Sequence, residues 1–430
     1  MNILIGISGG IAAYKMADLI RLFVKDGHDV KTVLTENAKK FVTQVTLETL
    51  SKNSSHCDMF SNVKDVEHIS LAKWADVMII APATANTMAK VCYGVCDDLL
   101  STVVTALDKP CYIFPSMNTK MYTHPSVQEN IGKLRDWGYM VYEPAEGELA
   151  CGDTGKGRLP DVNLIYEIVI GETERAQIDS PLFDKRVTVT AGSTRVYIDP
   201  VRYLVNSSSG RTGVELVRQA WLRGAKVDLI CNKDVIERFP WVSYYAELIT
   251  IAETTEDVLK AAEDVFNKTD IYISAAALCD FANNPLKNKI KKTGKDINIT
   301  LKPSVDVFSA LSKKKKHQLM IGFALETDDL EDNASIKLRE KGMDMVIANN
   351  VEVIGAQNSK VAIIDTKGIR KYVKEEDKRS VSSQILDEVE KLVIESFQKN
   401  ILDKKDVNIN LSSNKDLNTN VANSQKGNTH

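Results

Sequence analysis

The sequence predicts an α/β protein of two domains, each an open parallel sheet with helices in its crossovers. Short β-rich apolar runs alternate with helical stretches, the pattern of strand, helix and parallel strand. The alternation runs twice, on either side of a charged, proline-containing break at 172–184. At 430 residues the chain is also too long for one compact core.

In the first half the expected order is strand "NILIGI" (2–7), a helix over 11–25, strand "VKTVLT" (30–35), further helical stretches, strand "DVMIIAP" (76–82), a helix over 84–91 and strand "CYIFPSM" (111–117). The second series opens at "RVTVTAG" (186–192). It continues through a helix over 211–223, "KVDLIC" (226–231), a helix over 255–267, "DIYISAAA" (270–277), "LMIGFA" (319–324), "MDMVIAN" (343–349) and "KVAIID" (360–365), and a helix over 379–398 closes it. Both sheets read as open and Rossmann-like, without a residue-level repeat between them. From 401 onward the chain is rich in Asn, Ser, Lys and Asp and poor in core formers, so a disordered tail is expected at 401–430. The run "KKKKH" (313–317) falls at the end of an expected helix, where cations suit the dipole, and reads as a solvated helix end.

Hydrophobic residues at 43% and charged residues at 26% are ordinary for a globular protein, and a net charge of −3 provides no basic field for nucleic acid. The seven cysteines lack CxxC spacing, which fits reduced thiols in a cytoplasmic protein. The N-terminus enters a strand without a basic leader, and no apolar run approaches the ~18 residues of a membrane helix.

Chemistry-bearing residues gather at the ends of the expected strands. "ILIGISGGIAAYK" is a strand, a Ser8-Gly9-Gly10 turn and a helix start, an arrangement that offers free N–H groups to a phosphate or simply makes a tight turn. Thr84, Asn86 and Thr87 cap a helix or project from a strand end into a pocket, and Asn118 follows the next strand in a second such loop. His68 begins a short helix; imidazole is an acid or base near neutral pH, though a lone histidine is often structural. Cys151 sits in "ACGDTGKGRLPD" (150–161) among Gly152, Gly155 and Gly157, where there is little to bury and a thiol is placed for its chemistry.

Taken together, "SGGIAAYK", "HISLAKWAD", "APATANTMAK", "DDLLST", "PSMNTKMY" and "ACGDTGKGRLPD" resemble the flavin-dependent cysteine decarboxylases, specifically the phosphopantothenoylcysteine decarboxylase domain. Ser116, Tyr122 and Leu159-Pro160-Asp161 depart from the usual residues without removing a reactive group. The resemblance implies a flavodoxin-like FMN domain over 1–175. It implies that the substrate thiol is oxidised to a thioaldehyde, whose C=S bond delocalises the charge left by CO2 loss, and that the resulting enethiol is reduced again. An unperturbed thiol, with a pKa of about 8.5, is mostly protonated at neutral pH and can supply the final proton. By resemblance Cys151 is that donor, on a glycine-hinged flap. His68 acts in oxidation and decarboxylation, and Asn118 binds the substrate carboxylate. Ser8, Gly9, Gly10, Thr35, Ala85, Asn86 and Thr87 hold FMN.

In the second half a long polar insert separates "TAG" from the helix at Gly210, unlike the tight G-x-G-x-x-G turn of dinucleotide folds. "NSSSGRTG" (206–213) offers hydroxyls, N–H groups and Arg211 to a phosphate, or an elaborate cap. Asp280 ends a strand, and Lys289, Lys291 and Lys292 lie in a basic loop suited to a triphosphate or merely to solvent. "DPVRYLVNSSSG", "SAAALCDF", "KIKK", "GFALET" and "IKLREKGMDMVIANN" resemble the phosphopantothenate:cysteine ligase domain, with departures at Ser193, Leu278-Cys279 and Leu325. The resemblance implies a Rossmann-like ligase domain over 185–400 after a linker at 176–184. There, the carboxylate of 4'-phosphopantothenate attacks the α-phosphate of CTP to give an acyl cytidylate and pyrophosphate. Cysteine's amine then forms the amide and releases CMP. By resemblance Asp280, Lys289, Ser304, Val305, Asp306, Val307, Phe323, Lys337 and Lys341 form the CTP site. Lys289 stabilises charge at the α-phosphate, and Asn206 positions the acyl intermediate. Mg2+ is implied by the triphosphate, with no metal ligands visible in the sequence.

The leading expectation is therefore a bifunctional enzyme of coenzyme A biosynthesis, acting on small molecules and not on nucleic acid or membranes. The family implies trimeric decarboxylase units joined through ligase dimers, up to a dodecamer. A flavin prenyltransferase and a peptidyl-cysteine decarboxylase remain as alternatives that leave much of the second half unused, and a non-enzymatic regulatory flavoprotein as one against which the presence of His68, Cys151 and Lys289 argues.

Overall fold

The computed structural model describes residues 1–60, 66–175, 178–292, 296–326, 330–350 and 358–398. The expected tail at 401–430 and part of the expected linker lie outside these residues. The chain divides into two compact units, Met1–Ile170 and Gly171–His430.

The first unit is a parallel sheet of β1 (Asn2–Ile7), β2 (Asp29–Leu34), β3 (Ser55–His56), β4 (Val77–Ala83), β5 (Cys111–Pro115) and β6 (Met140–Val141), in the order β3-β2-β1-β4-β5-β6. Setting aside the two-residue edge strand β3, this is the flavodoxin-like order, in which the chain reverses direction across the sheet between β1 and β4. Every residue of β4 is buried, and so is all of β1 after Asn2, because helices cover both faces of a parallel sheet. The helix expected over 11–25 starts as a 3-10 segment, Ile11–Lys15, and becomes α-helical at Met16–Lys25. Met16, Leu19, Ile20 and Phe23 face the core at helical spacing, so replacing Phe23 by alanine would cost about 3–5 kcal/mol. A hairpin of β7 (Ala145–Glu148) and β8 (Thr154–Arg158) follows the sheet and holds the glycine-rich stretch.

The helix that follows spans Val162–Arg175, so 172–175 are helical and the pattern breaks later than the sequence suggests. The charges there are used: Glu174 pairs with Arg218 and Arg379 at 3.0 and 2.6 Å. The second unit has β9 (Arg186–Ala191), the ribbon β10 (Arg195–Tyr197) and β11 (Tyr203–Val205), β12 (Lys226–Cys231), β13 (Leu248–Ile251), β14 (Ile271–Ser274), the short pair β15 (Phe281–Ala282) and β16 (Lys302–Pro303), then β17 (Leu319–Glu326), β18 (Met345–Asn350), β19 (Asn358–Asp365) and β20 (Gly368–Asp377). The main sheet runs β13-β12-β9-β14-β17-β18-β19-β20. Its first six strands are parallel in Rossmann-like order, and β19 and β20 extend it antiparallel. The helix Arg211–Leu222 lies close on β9, since a Cβ on Gly213 would fall 2.4 Å from that of Ala191. The helix Thr255–Phe266 opens on a full capping box between Thr254 and Asp257. All seven cysteines are unpaired, and Cys111 and Cys231 are buried in strands.

Candidate functional sites

A cavity of about 710 Å3 opens at the carboxyl ends of β1, β4 and β5, beside the point where the strand order reverses. Gly9, Gly10, Ala85, Asn118 and Cys151 line it, so five residues expected from four separate motifs meet at one place. Gly10 caps the helical segment with no side-chain bond, which leaves the start of that segment open to an anion. Ser8 is wholly buried below: its hydroxyl donates to the Pro82 carbonyl at 2.6 Å and accepts from the Thr84 N–H at 2.9 Å, tying the two loops together. Thr84 caps the next helix by accepting from the Thr87 N–H, and Thr87 is buried behind it while Asn86 is exposed. Thr35 follows β2, accepts from the Ala38 N–H at 3.3 Å and, like Ser8, Asn86 and Thr87, does not line the cavity.

The β7–β8 hairpin closes over the loop after β5. The Met117 N–H donates to the Gly157 carbonyl at 2.9 Å, and a Cβ on Gly157 would meet the Met117 oxygen at 2.1 Å, so only glycine permits that approach. At the tip, Asn118 Nδ2 donates to Cys151 Sγ at 3.1 Å and to Asp153 Oδ2 at 3.0 Å, while the Cys151 thiol donates to the same Asp153 oxygen at 3.5 Å. Asp153 was not among the residues expected at the site; its only signal is a carboxylate two places beyond the flap cysteine. Tyr14, Lys15 and Arg158 also line the cavity without having been singled out. His68 is half-buried on the helix Glu67–Trp74, next to the Glu67 that pairs with His56, and is not part of the cavity wall.

In the second unit four of the expected nucleotide residues meet in two pairs. The Ser304 N–H donates to the Asp280 carbonyl at 2.8 Å across the β15–β16 pair, and the buried Ser304 hydroxyl has no protein partner. Asp306 caps the helix Val307–Ser312 through the Ser309 N–H at 3.0 Å and pairs with Lys341 at 3.3 Å. Burial alone would raise the Asp306 carboxyl; the Ser309 N–H and the Lys341 ammonium outweigh it and hold it below its ordinary value. Val305 is exposed and Val307 is buried behind the helix start. Phe323 lies half-buried on β17, and Lys337 is on the helix Leu330–Glu340. Asn206 Nδ2 donates to the Leu278 carbonyl at 3.1 Å, and Lys289 is exposed in the loop after β15. Among the described residues no group of three His, Cys, Asp or Glu side chains forms a metal site, and no helix is long and apolar enough to cross a membrane.

Residues 1–174 match the family described as Flavoprotein, and residues 182–393 match the DNA/pantothenate metabolism flavoprotein C-terminal domain. A coenzyme A biosynthesis bifunctional protein CoaBC of Bacillus subtilis (strain 168) is 38% identical over 396 residues, covering 90% of this chain and 96% of its own length. The protein of the same name from Borreliella burgdorferi is 37% identical over 390 residues, covering 90% and 98%. A cysteine/cysteine sulfinic acid decarboxylase from an unknown prokaryotic organism is 39% identical over 335 residues, covering 75% and 92%.

Proposed function

The chain belongs to the family of bifunctional coenzyme A biosynthesis proteins, and we propose that its two sites act in sequence, the second unit joining cysteine to 4'-phosphopantothenate and the first decarboxylating the product. It is an enzyme with both decarboxylase and ligase activities. We assign the decarboxylase to 1–175, a linker to 176–184 and the ligase to 185–400.

The first cavity suits FMN. Its volume of about 710 Å3 is that of a cofactor site, the uncapped glycine turn supplies N–H groups for a phosphate, and Ile11, Met117, Met121 and Leu149 provide apolar wall for a planar ring. FMN, when bound, supplies the two-electron acceptor and donor that a cysteinyl carboxylate lacks. The protein's part is to place groups. Asn118 orients the substrate carboxylate through Nδ2. The hairpin closes and excludes water, and Cys151 Sγ–H delivers the proton that completes the product. His68 serves the earlier steps. Because it stands outside this cavity, we assign it to the site of a neighbouring copy in a trimeric assembly, the trimers joined through ligase dimers. The observation that carries the reading is the meeting of Asn118 and Cys151, 3.1 Å apart, above an open glycine turn.

In the second unit the orphaned Ser304 hydroxyl and the Asp306–Lys341 pair suit a nucleotide, with Asp280, Phe323 and Lys337 contributing, and CTP is the proposed cosubstrate. Lys289 would stabilise charge as pyrophosphate leaves, and Asn206 would hold the acyl cytidylate for cysteine's amine. Mg2+ is proposed as the ion carried by the triphosphate, with no residue of the chain assigned to it.

The test is turnover with phosphopantothenate and cysteine, with CTP or ATP in parallel, following pyrophosphate and CO2. CTP-dependent pyrophosphate release followed by CO2 is expected. CO2 from free cysteine without nucleotide would replace this reading with a plain cysteine decarboxylase, the activity named for one relative.

A further inference from the structure

Asn118 has one acceptor and two amide hydrogens, and all three are engaged. Oδ1 accepts from the Lys120 N–H at 2.8 Å, which fixes the direction of the amide, and the Nδ2 hydrogens go to Cys151 Sγ at 3.1 Å and Asp153 Oδ2 at 3.0 Å. The donor that the proposed function reserves for the substrate's carboxylate is thus already taken by a carboxylate of the chain itself. The backbone holds it there: the Leu149 N–H donates to the Asp153 carbonyl at 2.8 Å and the Gly152 N–H to the Leu149 carbonyl at 2.9 Å, closing the hairpin tip so that Asp153 points back at Asn118. The third edge of the triangle, Cys151 Sγ–H to Asp153 at 3.5 Å, makes the thiol part of the same arrangement.

We propose that Asp153 is a specificity-determining residue of the decarboxylase site, an internal stand-in for the substrate's carboxylate that must leave Asn118 when substrate binds and returns to it once CO2 is lost. The inference rests on the assignment of Asn118 to that carboxylate. Two carboxylates at one N–H donor repel each other, and only one can accept the bond, so binding of an acid-bearing ligand costs the Asn118–Asp153 bond, whereas a ligand without the acid leaves it intact. After decarboxylation the product has no claim on Asn118. Asp153 then closes back and returns Cys151 to the side of the cavity where its proton is needed. The flap carboxylate therefore lowers affinity for the substrate's acid group and favours the state that follows its loss.

The test uses the full-length, FMN-loaded protein and two unreactive ligands measured by calorimetry: the serine counterpart of phosphopantothenoylcysteine, which keeps the carboxylate but has no thiol, and its ethanolamine counterpart, which lacks the carboxylate as well. In Asp153→Ala the serine ligand should bind about three- to tenfold more tightly, and the ethanolamine ligand should be unchanged. Asp153→Asn, a neutral acceptor, should fall between. Equal changes for both ligands, no change, or weaker binding of the serine ligand alone would each overturn the proposal. Asn118→Ala separates the underlying assignment. If it leaves the preference between the two ligands untouched, the role of Asn118 fails and this inference with it. If it removes the preference while Asp153→Ala does not alter it, the assignment of Asp153 alone is lost.

Discussion

Replacing Cys151 by serine keeps the hairpin and the hydrogen bond from Asn118 but exchanges the thiol for a hydroxyl that holds its proton far more tightly. CO2 release should continue while the enethiol accumulates and phosphopantetheine output falls by an order of magnitude or more. Mass analysis of single-turnover products decides it, since normal output would remove Cys151 from proton delivery. Asn206 allows a similar dissection in the ligase. Its Nδ2 donates to the Leu278 carbonyl at 3.1 Å, and aspartate there has no hydrogen to donate and sets one oxygen against another. Asn206→Asp should therefore retain pyrophosphate release while amide formation slows on the order of ten- to a hundredfold, seen as trapped acyl cytidylate. At this scale the sequence was informative where a reactive group sits in a loop with little to bury, as with Cys151 among glycines and Asn118 at a strand end. It was silent about Asp153, because an acid at a hairpin tip is ordinarily a solvated charge. Only the fold of residues 149–153 turns it toward Asn118.

Between elements, one buried acid joins the ribbon that carries Asn206 to the segment that carries Lys289. Asp199 is fully buried and accepts from the N–H groups of Val201, Arg202 and Ile290 at 2.8, 2.9 and 3.0 Å and from the Arg202 guanidinium at 2.6 Å. The Leu286 N–H to the Ile198 carbonyl at 2.9 Å adds a second stitch. Burial alone would raise the Asp199 carboxyl, but the three N–H donors and Arg202 hold it down at about 2. Its folded pKa lies below the ordinary ~3.9, so its contribution is fully present above about pH 4 and is lost as pH falls toward 2. Hydrogen exchange should show residues 283–290 loosening over that window. Asp199→Ala should loosen them at neutral pH and reduce ligase kcat on the order of a hundredfold through misplaced Lys289, with the decarboxylase unaffected. The apolar strands of both sheets were legible because a strand covered on both faces is a continuous apolar run. The β10–β11 ribbon, the β7–β8 hairpin and the polar edge strand β20 were not, since their pairing is held by backbone bonds, with close glycine contacts at β7–β8, and leaves no apolar alternation in the sequence.

For the whole molecule, motif order made two catalytic units legible, because each half of the sequence predicts the other. What no motif encodes is which copy of the chain supplies a side chain. The structure brings Asn118 and Cys151 to one cavity and leaves His68 off its wall, although all three are expected to serve one reaction. The proposed trimer reconciles these facts: a site would take Asn118 and Cys151 from one chain and His68 from the next, so that a neighbour completes it. The arrangement makes a quantitative prediction. His68→Ala and Cys151→Ala chains should each fail to form phosphopantetheine while keeping ligase turnover, since neither residue belongs to the second unit. Co-assembled at equal amounts, they would mix at random within the proposed trimers. A complete site then needs an intact His68 from one chain and an intact Cys151 from the next, each met half the time, so phosphopantetheine formation should return to about a quarter of the wild-type rate per site. Phosphopantetheine output from the co-expressed mixture, against a control mixed from separately assembled proteins, measures it. A co-assembled mixture that stays silent would place His68 with the Asn118 and Cys151 of its own chain and remove the shared site.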